Sequence, residues 1–371
     1  MTETPETPEA PEAEVLLERR GHLGHIILNR PKAINALTAT MVSLISDALD
    51  AWEHDDGVAT VLLSGAGERG LCAGGDIVAL YHDAGNGGAE SAGFWAEEYE
   101  LNARISSYPK PYVALMDGIV LGGGVGVSAH ARHRVVTERT KVGMPETGIG
   151  FIPDVGGTYL LSRAPGELGT HAALTAGTMT GPDALLMGLA DVYVDSSRLG
   201  ELSAALERRP ADEVLLEFAR KAPDAPLAAA QAWIDDCYAY EDVETIVDAL
   251  LRSDAEDAKA AAAVVLSKSP SALKVTLQSL RRARELPDLP SVLEQEYRVS
   301  LHALTAPDFA EGVRAQVIDK DRNPRWTPAT LAEVRQADVD SYFAPLDGRP
   351  DLWEGLQDRK TDSSLISQEQ R

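Results

Sequence analysis

The stretch YVALMDG, residues 112–118, is a continuous apolar run of strand length that ends in an aspartate and a glycine. Two further strand-like runs are VATVLLSG (58–65) and HRVVTE (133–138), and helical patterns separate the three. Strands that alternate with helices usually pair in parallel, and both faces of such a sheet are covered. The sequence therefore predicts an α/β core.

The N-terminal side of this core shows strand and helix patterns. Residues 14–30 predict two strands that meet at Gly21. From Thr38, which fits an N-cap, apolar residues recur at the i, i+3, i+4 spacing of a helix. After about residue 198 the strand pattern stops and helical patterns take over. We predict a core over 14–197, a helical part over 198–330 and a C-terminal extension over 331–371 with a polar end.

Composition excludes several classes of protein. The formal net charge is −24, which argues against nucleic acid and against a polybasic membrane contact as partners. The only cysteines, Cys72 and Cys237, cannot build a disulfide framework or a clustered-cysteine metal site, and no metal is expected. Residues 1–13 resemble neither a secretory signal nor an Arg-rich transit peptide and predict a disordered acidic tail. No apolar run approaches the roughly 20 residues of a membrane span, so a soluble, cytoplasmic protein is expected.

Glycine-rich stretches follow two of the strands. GAGERG (65–70) matches a dinucleotide fingerprint, but no helix begins inside it and LCAGGD continues as a loop, so we interpret it as loop composition. LCAGGDI (71–77) and GIVLGGGVGVSAHA (118–131) each lead into a helical pattern. Glycines there let backbone N–H groups approach a ligand, and two such loops facing each other would form an oxyanion hole. The alternative is that the glycines only allow tight packing.

Two carboxylates stand in unusually apolar surroundings in MPETGIGFIPDVGG (144–157). Glu146 and Asp154 each follow a proline and are separated mainly by small and apolar residues. Burial raises the pKa of a carboxyl or makes it more reactive, which suits a catalytic site. The chain has no G-x-S-x-G elbow, and Ser128 and His130 have the wrong spacing for a triad. The alternative for Asp154 is an N-cap of a helix in the following VGGTYLLSR.

These motifs together resemble the crotonase (enoyl-CoA hydratase/isomerase) superfamily, and within it the 3-hydroxyisobutyryl-CoA hydrolase group. The resemblance runs from about residue 14 to about residue 330, and it is carried by NRPKAINAL (29–37), CAGGDI (72–77), KPYVALMDGIVLGGGVG (110–126), MPETGIGFIPDVGG and DFAEGVRAQVIDKDRNPRW (308–326). It implies a spiral of repeated ββα units with a mostly helical C-terminal part. The family's helices often make trimer contacts, which leaves room for a homo-oligomer. It also implies an acyl-CoA substrate, with coenzyme A as part of that substrate and no separate cofactor.

The resemblance assigns roles to individual residues. It implies that the N–H groups of Gly75 and Gly123 form the oxyanion hole. Hydratases carry a glutamate where this chain has Gly126, and usually a glycine where it has Asp154, so the chain departs from them where the hydrolases do. Glu146 would attack the thioester or activate water, and Asp154 would assist the water or the departing thiol.

Substrate contacts are implied in the same way. Glu98, in FWAEEYELN, would bind the acyl 3-hydroxyl; its alternative is a solvated helix face. Coenzyme A would lie along the NRPKA and AGGDI loops, with Lys32, Ala33, Ala73 and Ile77 as candidate contacts, although ordinary turn structure also explains these loops.

The function implied is 3-hydroxyisobutyryl-CoA hydrolysis in valine catabolism. One alternative is a hydratase, isomerase or decarboxylase that uses the same oxyanion hole, and Gly126 argues against it. The other is a non-catalytic acyl-CoA-binding protein, and the pair of Glu146 and Asp154 argues against that.

Overall fold

The computed structural model describes residues 13–346 and 348–357. Apart from Ala13, the predicted acidic tail lies outside the described residues. The predicted polar end over 359–371 lies outside them as well.

The strands within the described residues form two sheets. In chain order they are β1 (Val15–Arg20), β2 (Leu23–Leu28), β3 (Thr60–Gly65), β4 (Gly70–Cys72), β5 (Tyr112–Met116), β6 (Ile119–Leu121), β7 (His133–Val136), β8 (Lys141–Gly143), β9 (Thr178–Thr180) and β10 (Val192–Tyr193). The larger sheet has the order β1-β2-β3-β5-β7-β10 and the smaller one β4-β6-β8-β9. Only the outer pairs β1–β2 and β8–β9 are antiparallel in this part of the chain, so both sheets are largely parallel.

The three strand-like runs that predicted an α/β core are confirmed as β3, β5 and β7, although each strand is shorter than its run. The two N-terminal strands also meet at Gly21, whose φ of 58° allows the tight reversal. The prediction that LCAGGD is entirely loop was wrong, because its first two residues belong to β4. A three-residue strand is too short to show an alternating pattern.

Helices cover most of the remaining chain. They are α1 (Ala39–Glu53), α2 (Ile77–Ala84), α3 (Ala89–Ser106), α4 (Gly123–Gly126), α5 (Gly157–Ser162), α6 (Leu168–Thr175), α7 (Gly181–Leu186), α8 (Leu199–Leu206), α9 (Ala211–Phe218), α10 (Pro226–Tyr238), α11 (Val243–Arg252), α12 (Glu256–Leu266), α13 (Pro270–Glu285), α14 (Leu289–Thr305), α15 (Pro307–Val313), α16 (Gln336–Ser341) and α17 (352–357). As predicted, Thr38 caps α1, because its Oγ1 accepts a hydrogen bond of 3.1 Å from the Met41 N–H. In the part of the chain that the structure describes, no helix has the length and hydrophobicity needed to cross a membrane.

The fold is a spiral of ββα units followed by a mostly helical part. In successive units one strand joins the larger sheet and the next joins the smaller one: β3 and β4, then β5 and β6, then β7 and β8. Strands β4, β6 and β8 are parallel neighbours, so their carboxyl ends lie at the same edge of the smaller sheet. The segments that leave this edge are the loop to α2, the start of α4 and a single 3₁₀ turn over Glu146–Ile149. The glycine-rich loops and the first carboxylate are thereby brought together.

The C-terminal helices cover this edge of the molecule. Helix α14 packs against α3 and α5, and α15 packs against the Glu146–Ile149 turn. One hydrophobic cluster contains sheet residues such as Leu63 together with Leu293 and Phe309 from these helices. Among the described residues, every element of regular secondary structure from Leu199 onward is a helix or a helical turn, and none is a strand. The division of the chain at residues 197 and 198 remains a prediction.

Candidate active site

The backbone N–H groups of Gly75 and Gly123 lie near each other at the edge of the smaller sheet. A side-chain carbon built on Gly123 would lie 3.3 Å from the backbone nitrogen of Gly75. On either side of Gly75, the Leu37 N–H donates to the Gly74 carbonyl and the Asp76 N–H to the Leu37 carbonyl. Within residues 13–346 and 348–357, the N–H groups of Gly75 and Gly123 themselves donate no hydrogen bond. Both are therefore available to one ligand oxygen, as an oxyanion hole requires.

A cavity of about 110 Å³ adjoins these N–H groups. Gly75, Gly123, Glu98, Glu146 and Asp154 all line it. The rest of its wall is mostly apolar and includes Leu80, Phe94, Trp95, Ile149, Phe151 and Phe309. The predicted site residues, taken from separate parts of the sequence, thus meet in one small pocket.

The candidate coenzyme A contacts are only partly gathered there. Ala73 and Ile77 line the cavity, whereas Lys32 and Ala33 are not among its lining residues. The two loops are joined by a hydrogen bond of 2.9 Å from the Ala73 N–H to the Ile34 carbonyl. This contact places the NRPKA loop beside the pocket, and the role of all four residues in binding coenzyme A remains a prediction.

Glu146 is the first residue of the 3₁₀ turn after β8 and is 6% exposed. Its Oε1 would lie 2.9 Å from a side-chain carbon on Gly122, whereas its Oε2 has no hydrogen-bond partner within the described residues. Burial, and next to it the nearby charge of Asp154, raises the pKa of the Glu146 carboxyl well above its ordinary value. An unpartnered buried carboxyl oxygen is costly unless it serves a ligand or a reaction.

Glu98 projects from α3 into the same cavity and is 2% exposed, so the alternative of a solvated helix face is wrong. Its Oε1 would lie 2.6 Å from a side-chain carbon on Gly123 and has no partner in the described part of the chain. Burial is the main cause that raises the pKa of Glu98 well above its ordinary value, followed by the charge of Asp154. The side chain is placed to bind a polar group of a ligand held at Gly123.

Asp154 is held by a chain of hydroxyl groups. Tyr99 donates a hydrogen bond of 2.7 Å to its Oδ2, and the Tyr99 hydroxyl lies 2.9 Å from Ser300 Oγ. Because the Tyr99 proton is directed to Asp154, Ser300 must donate to Tyr99. Burial raises the pKa of Asp154 to about 7, although the Tyr99 hydrogen bond acts in the opposite direction. Burial therefore favours the protonated form of Asp154 more than water would.

The alternative that Asp154 caps a helix is wrong. Helix α5 begins at Gly157 with Gly156 at its N-cap, and the Asp154 carboxylate accepts from Tyr99 instead. The N–H groups of Gly156 and Thr158, at the start of α5, instead donate hydrogen bonds to the carboxylate of Glu296, from α14.

The position where hydratases carry a second glutamate has no room for a side chain. A carbon built on Gly126 would lie 2.7 Å from Val155 Cβ and 2.9 Å from Asn102 Nδ2. Real Cβ atoms do not approach neighbours that closely, so a glutamate here would require the 154–156 turn or α3 to shift. The carboxyl groups that do line this cavity are those of Glu98, Glu146 and Asp154.

The sequence did not predict the residues that hold Asp154 and the turn after it. These are Tyr99 and Ser300, which are hydrogen-bonded next to Asp154, and His130 and Glu296, which bind the backbone of Val155 and Gly156. One signal was present, because Glu296 falls at the helical spacing of Leu293 and Ser300 on the buried face of α14. A lone acid on a buried helix face implies a partner. Nothing in the local pattern indicates which partner that is.

The site is strongly acidic inside. Glu98, Glu146, Asp154 and Glu296 are all buried, and none of them is paired with a basic side chain in the part of the chain that the structure describes. Neighbouring carboxylates in a dry site cannot all ionise, because each charge raises the pKa of the others. Burial therefore raises the pKa of all four carboxyls, which favours their protonated forms and suits a site of proton transfer.

Asp154→Asn is expected to make the folded protein relatively more stable at alkaline pH. Between its unfolded pKa of about 3.9 and its folded pKa of about 7, the folded state keeps a proton that the unfolded state loses. The free energy of unfolding of the wild type should then fall, relative to the variant, by up to about 1.4 kcal/mol per pH unit over this range. Urea unfolding at pH 5 and pH 8 measures this. A stability difference that is equal at both pH values would contradict a raised pKa for Asp154.

Comparison with known proteins agrees with this geometry. The family model described as enoyl-CoA hydratase/isomerase matches residues 23–343. The chain belongs to this family. Among curated relatives, the mitochondrial 3-hydroxyisobutyryl-CoA hydrolase of Rattus norvegicus is 42% identical over 91% of this chain and 90% of its own length. The enzyme of that name from Homo sapiens is 39% identical over 91% and 90%, respectively.

Solved structures give the same fold under different names. A carnitinyl-CoA dehydratase from Mycobacterium thermoresistibile is 55% identical, with a TM-score of 0.89 over 91% of this chain and 98% of its own. An enoyl-CoA hydratase from Rhodobacter sphaeroides 2.4.1 is 41% identical, with a TM-score of 0.85 over 90% and 98%. The names of these relatives differ in reaction type, so the reaction has to be argued from the site.

Proposed function

We propose that this protein hydrolyses acyl-CoA thioesters, with 3-hydroxyisobutyryl-CoA as substrate and 3-hydroxyisobutyrate and coenzyme A as products. The observation that carries the proposal is the combination of Asp154 in the cavity with a Gly126 that leaves no room for a second glutamate. Glu146 and Asp154 then face a thioester held at two free N–H groups. The names of the curated relatives support the same reaction.

In the proposed mechanism the thioester oxygen lies between the N–H groups of Gly75 and Gly123. These donors stabilise the negative charge that develops on the oxygen as the carbonyl carbon is attacked, and one such donor typically contributes about 2.7–4 kcal/mol. In one route Glu146 attacks the carbonyl carbon and expels the coenzyme A thiolate, which leaves a mixed anhydride that water then hydrolyses. In the other route Glu146 takes a proton from a water that attacks the carbonyl carbon, and the thiolate leaves as the C–S bond breaks. Both routes need a carboxylate whose oxygen is free, as Glu146 Oε2 is within the described residues.

Asp154 has a pKa matched to proton transfer at neutral pH. In its ionised form it can orient the attacking water, and in its protonated form it can deliver a proton to the departing thiol. Tyr99 holds its Oδ2 and so fixes the orientation of the carboxyl group.

The acyl group is proposed to be small and to carry a hydroxyl. The cavity of about 110 Å³ suits a short acyl chain, and its apolar wall excludes bulk water from the reacting carbonyl. Glu98 is proposed to bind a hydroxyl group on the third acyl carbon, and its unpartnered Oε1 in the cavity supports this role. A 3-hydroxyisobutyryl group fits this description and connects the reaction to valine breakdown.

A hydratase or dehydratase is the second candidate, because the two solved structures named above are a carnitinyl-CoA dehydratase and an enoyl-CoA hydratase. The same oxyanion hole could stabilise an enolate. The lack of space for a side chain at Gly126 argues against this candidate, because a hydration mechanism with two glutamates would need one of them at this position. A non-catalytic acyl-CoA-binding role leaves the unpartnered Glu146 Oε2 without a purpose.

The position of coenzyme A, the assembly and the cellular location are further parts of the proposal. Coenzyme A is proposed to lie along the loops that contain Lys32, Ala33, Ala73 and Ile77, as part of the substrate, with no separate cofactor. A homo-oligomer is proposed from the family resemblance. The relatives named above are mitochondrial enzymes by name, and a cytoplasmic location for this chain remains a prediction from its sequence.

Release of free thiol from a panel of acyl-CoA thioesters tests the reaction type. We expect turnover of 3-hydroxyisobutyryl-CoA without added metal or nucleotide, weaker turnover of acyl groups that lack the 3-hydroxyl, and little or no hydration of crotonyl-CoA. Because Gly126 stands in place of the second glutamate, hydration is the reaction that should fail. Fast hydration of crotonyl-CoA without thiol release would favour the second candidate.

A further inference from the structure

The turn that carries Asp154 has a strained backbone. Val155 has a φ of 53° and Gly156 a φ of 77°. Glycine adopts this left-handed region readily, whereas a β-branched residue such as valine rarely does. A valine held there indicates that contacts from outside the turn fix its conformation.

Two buried side chains supply these contacts. Glu296 of α14 accepts a hydrogen bond of 2.6 Å from the Gly156 N–H on one oxygen. Its other oxygen accepts from the Thr158 N–H, at 2.9 Å, and from the Thr158 hydroxyl. In addition, His130 Nε2 lies 2.8 Å from the Val155 carbonyl oxygen, and it must donate because a carbonyl can only accept. The turn is therefore held by α14 and by the segment that follows α4.

The conformation of this turn decides where two cavity side chains lie. Asp154 immediately precedes the strained residue, and its carboxylate reaches Tyr99. Val155 fills the space beside Gly126, with its Cβ only 2.7 Å from the place where a side chain on Gly126 would begin. If Val155 relaxed to a negative φ, both side chains would move together.

We propose that Glu296 is a positioning residue, which holds Asp154 in the cavity by binding the backbone N–H groups of Gly156 and Thr158. The inference rests on the proposed function only in the effect it predicts on kcat for thiol release. Glu296 does not line the cavity and acts through the turn. It comes from a helix 140 residues away in sequence from Gly156, so the C-terminal helices help to build the site.

Asp183 provides a matched control. It is 3% exposed and accepts hydrogen bonds from two backbone N–H groups, of Thr180 and Leu227, and from the Thr180 hydroxyl. Its set of donors has the same composition as that of Glu296, and it is not among the residues that line the cavity. A purely structural role for Glu296 predicts that the two carboxylates respond alike to replacement by the amide.

The test is a double-mutant cycle on thiol release from 3-hydroxyisobutyryl-CoA. Glu296→Gln places an NH₂ group against a backbone N–H, so we expect kcat to fall by about 10²-fold, as for a small misplacement of a reacting group, with KM changed much less. In the Asp154→Asn background the same substitution should change kcat very little, because the group it positions is already lost. Asp183→Asn should lower the melting temperature. Adding it should leave kcat nearly unchanged both in the wild type and in the Asp154→Asn variant. An equal loss of kcat from Glu296→Gln in both backgrounds would overturn the proposal.

A structural measurement separates this inference from the proposed function. If the wild type releases no thiol, the proposed function fails, and the crystal structure of Glu296→Gln still decides the inference. We expect Val155 to leave its positive φ and the hydrogen bond between Tyr99 and Asp154 to be lost; an unchanged turn would overturn the proposal.

A milder variant keeps the inference testable if Glu296→Gln does not fold. Thr158→Val removes only the hydroxyl donor to Glu296, and we expect a smaller effect on kcat that again disappears in the Asp154→Asn background. An effect of Thr158→Val that persists there would count against Glu296 as a positioning residue.

Discussion

Glu146→Gln is expected to lower kcat for thiol release by about 10²–10⁴-fold, the usual loss for a positioned acid or base. The amide keeps the size and shape of the side chain but can neither attack a carbonyl carbon nor accept a proton from water. Because the oxyanion hole and the apolar wall remain, binding of the thioester should survive. Turnover is measured by thiol release, and binding by calorimetry with the substrate.

This result would place the reaction at one carboxylate. Glu146 follows β8 in the cavity wall, and its Oε2 has no hydrogen-bond partner within the described residues that the substitution would remove. The variant should therefore keep its circular dichroism spectrum and melting temperature. Full activity in a folded Glu146→Gln protein would exclude Glu146 both as nucleophile and as base.

Gly123→Pro should be nearly as damaging, with a loss of about 10²–10³-fold in kcat for one oxyanion-hole donor. Proline removes the N–H group that faces the thioester oxygen. Gly123 is the first residue of α4, a position that proline occupies readily in helices. Its ring would also crowd Glu98, whose Oε1 lies 2.6 Å from the site of an added carbon, so KM should rise as well.

Glu256→Pro is the matched control for this substitution. Glu256 is the first residue of α12, its preceding residue Ala255 has the extended conformation that a following proline favours, and its side chain is exposed. It should fold and keep normal turnover. If folded Gly123→Pro protein also turned over normally, the Gly123 N–H would not be an oxyanion donor.

The sequence predicted those parts of the fold that depend on local patterns. Strands β3 and β5 are largely buried and β7 partly so, and each appears as an apolar run. Helix α1 shows its buried face as a repeat and its start as the cap at Thr38. The three-residue strands of the smaller sheet carry no such pattern, yet they bring Gly75, Gly123 and Glu146 together.

The site was predicted where motifs marked it and missed where distant residues built it. The family resemblance pointed to Gly75, Gly123, Glu98, Glu146 and Asp154, and all five line one cavity. Whether each has its expected role remains a prediction.

The alternative of a helix cap at Asp154 shows the limit of local reasoning. A proline and an aspartate before a helical pattern fit a cap by local rules. In the folded chain the N–H groups at the start of α5 donate to Glu296. Asp154 instead accepts a hydrogen bond from Tyr99, which lies 55 residues earlier in the sequence. Only the packing of α14 against α3 and α5 makes both contacts available.

The central claim is that the oxygen atom of water becomes bonded to the acyl carbonyl carbon and that the C–S bond of the thioester breaks. Incubation of the wild type with 3-hydroxyisobutyryl-CoA in H₂¹⁸O, followed by mass spectrometry of the products, tests this most directly. Hydrolysis predicts free coenzyme A and 3-hydroxyisobutyrate with ¹⁸O in its carboxyl group. Intact acyl-CoA with ¹⁸O in the 3-hydroxyl group, introduced by dehydration and rehydration, would contradict the account.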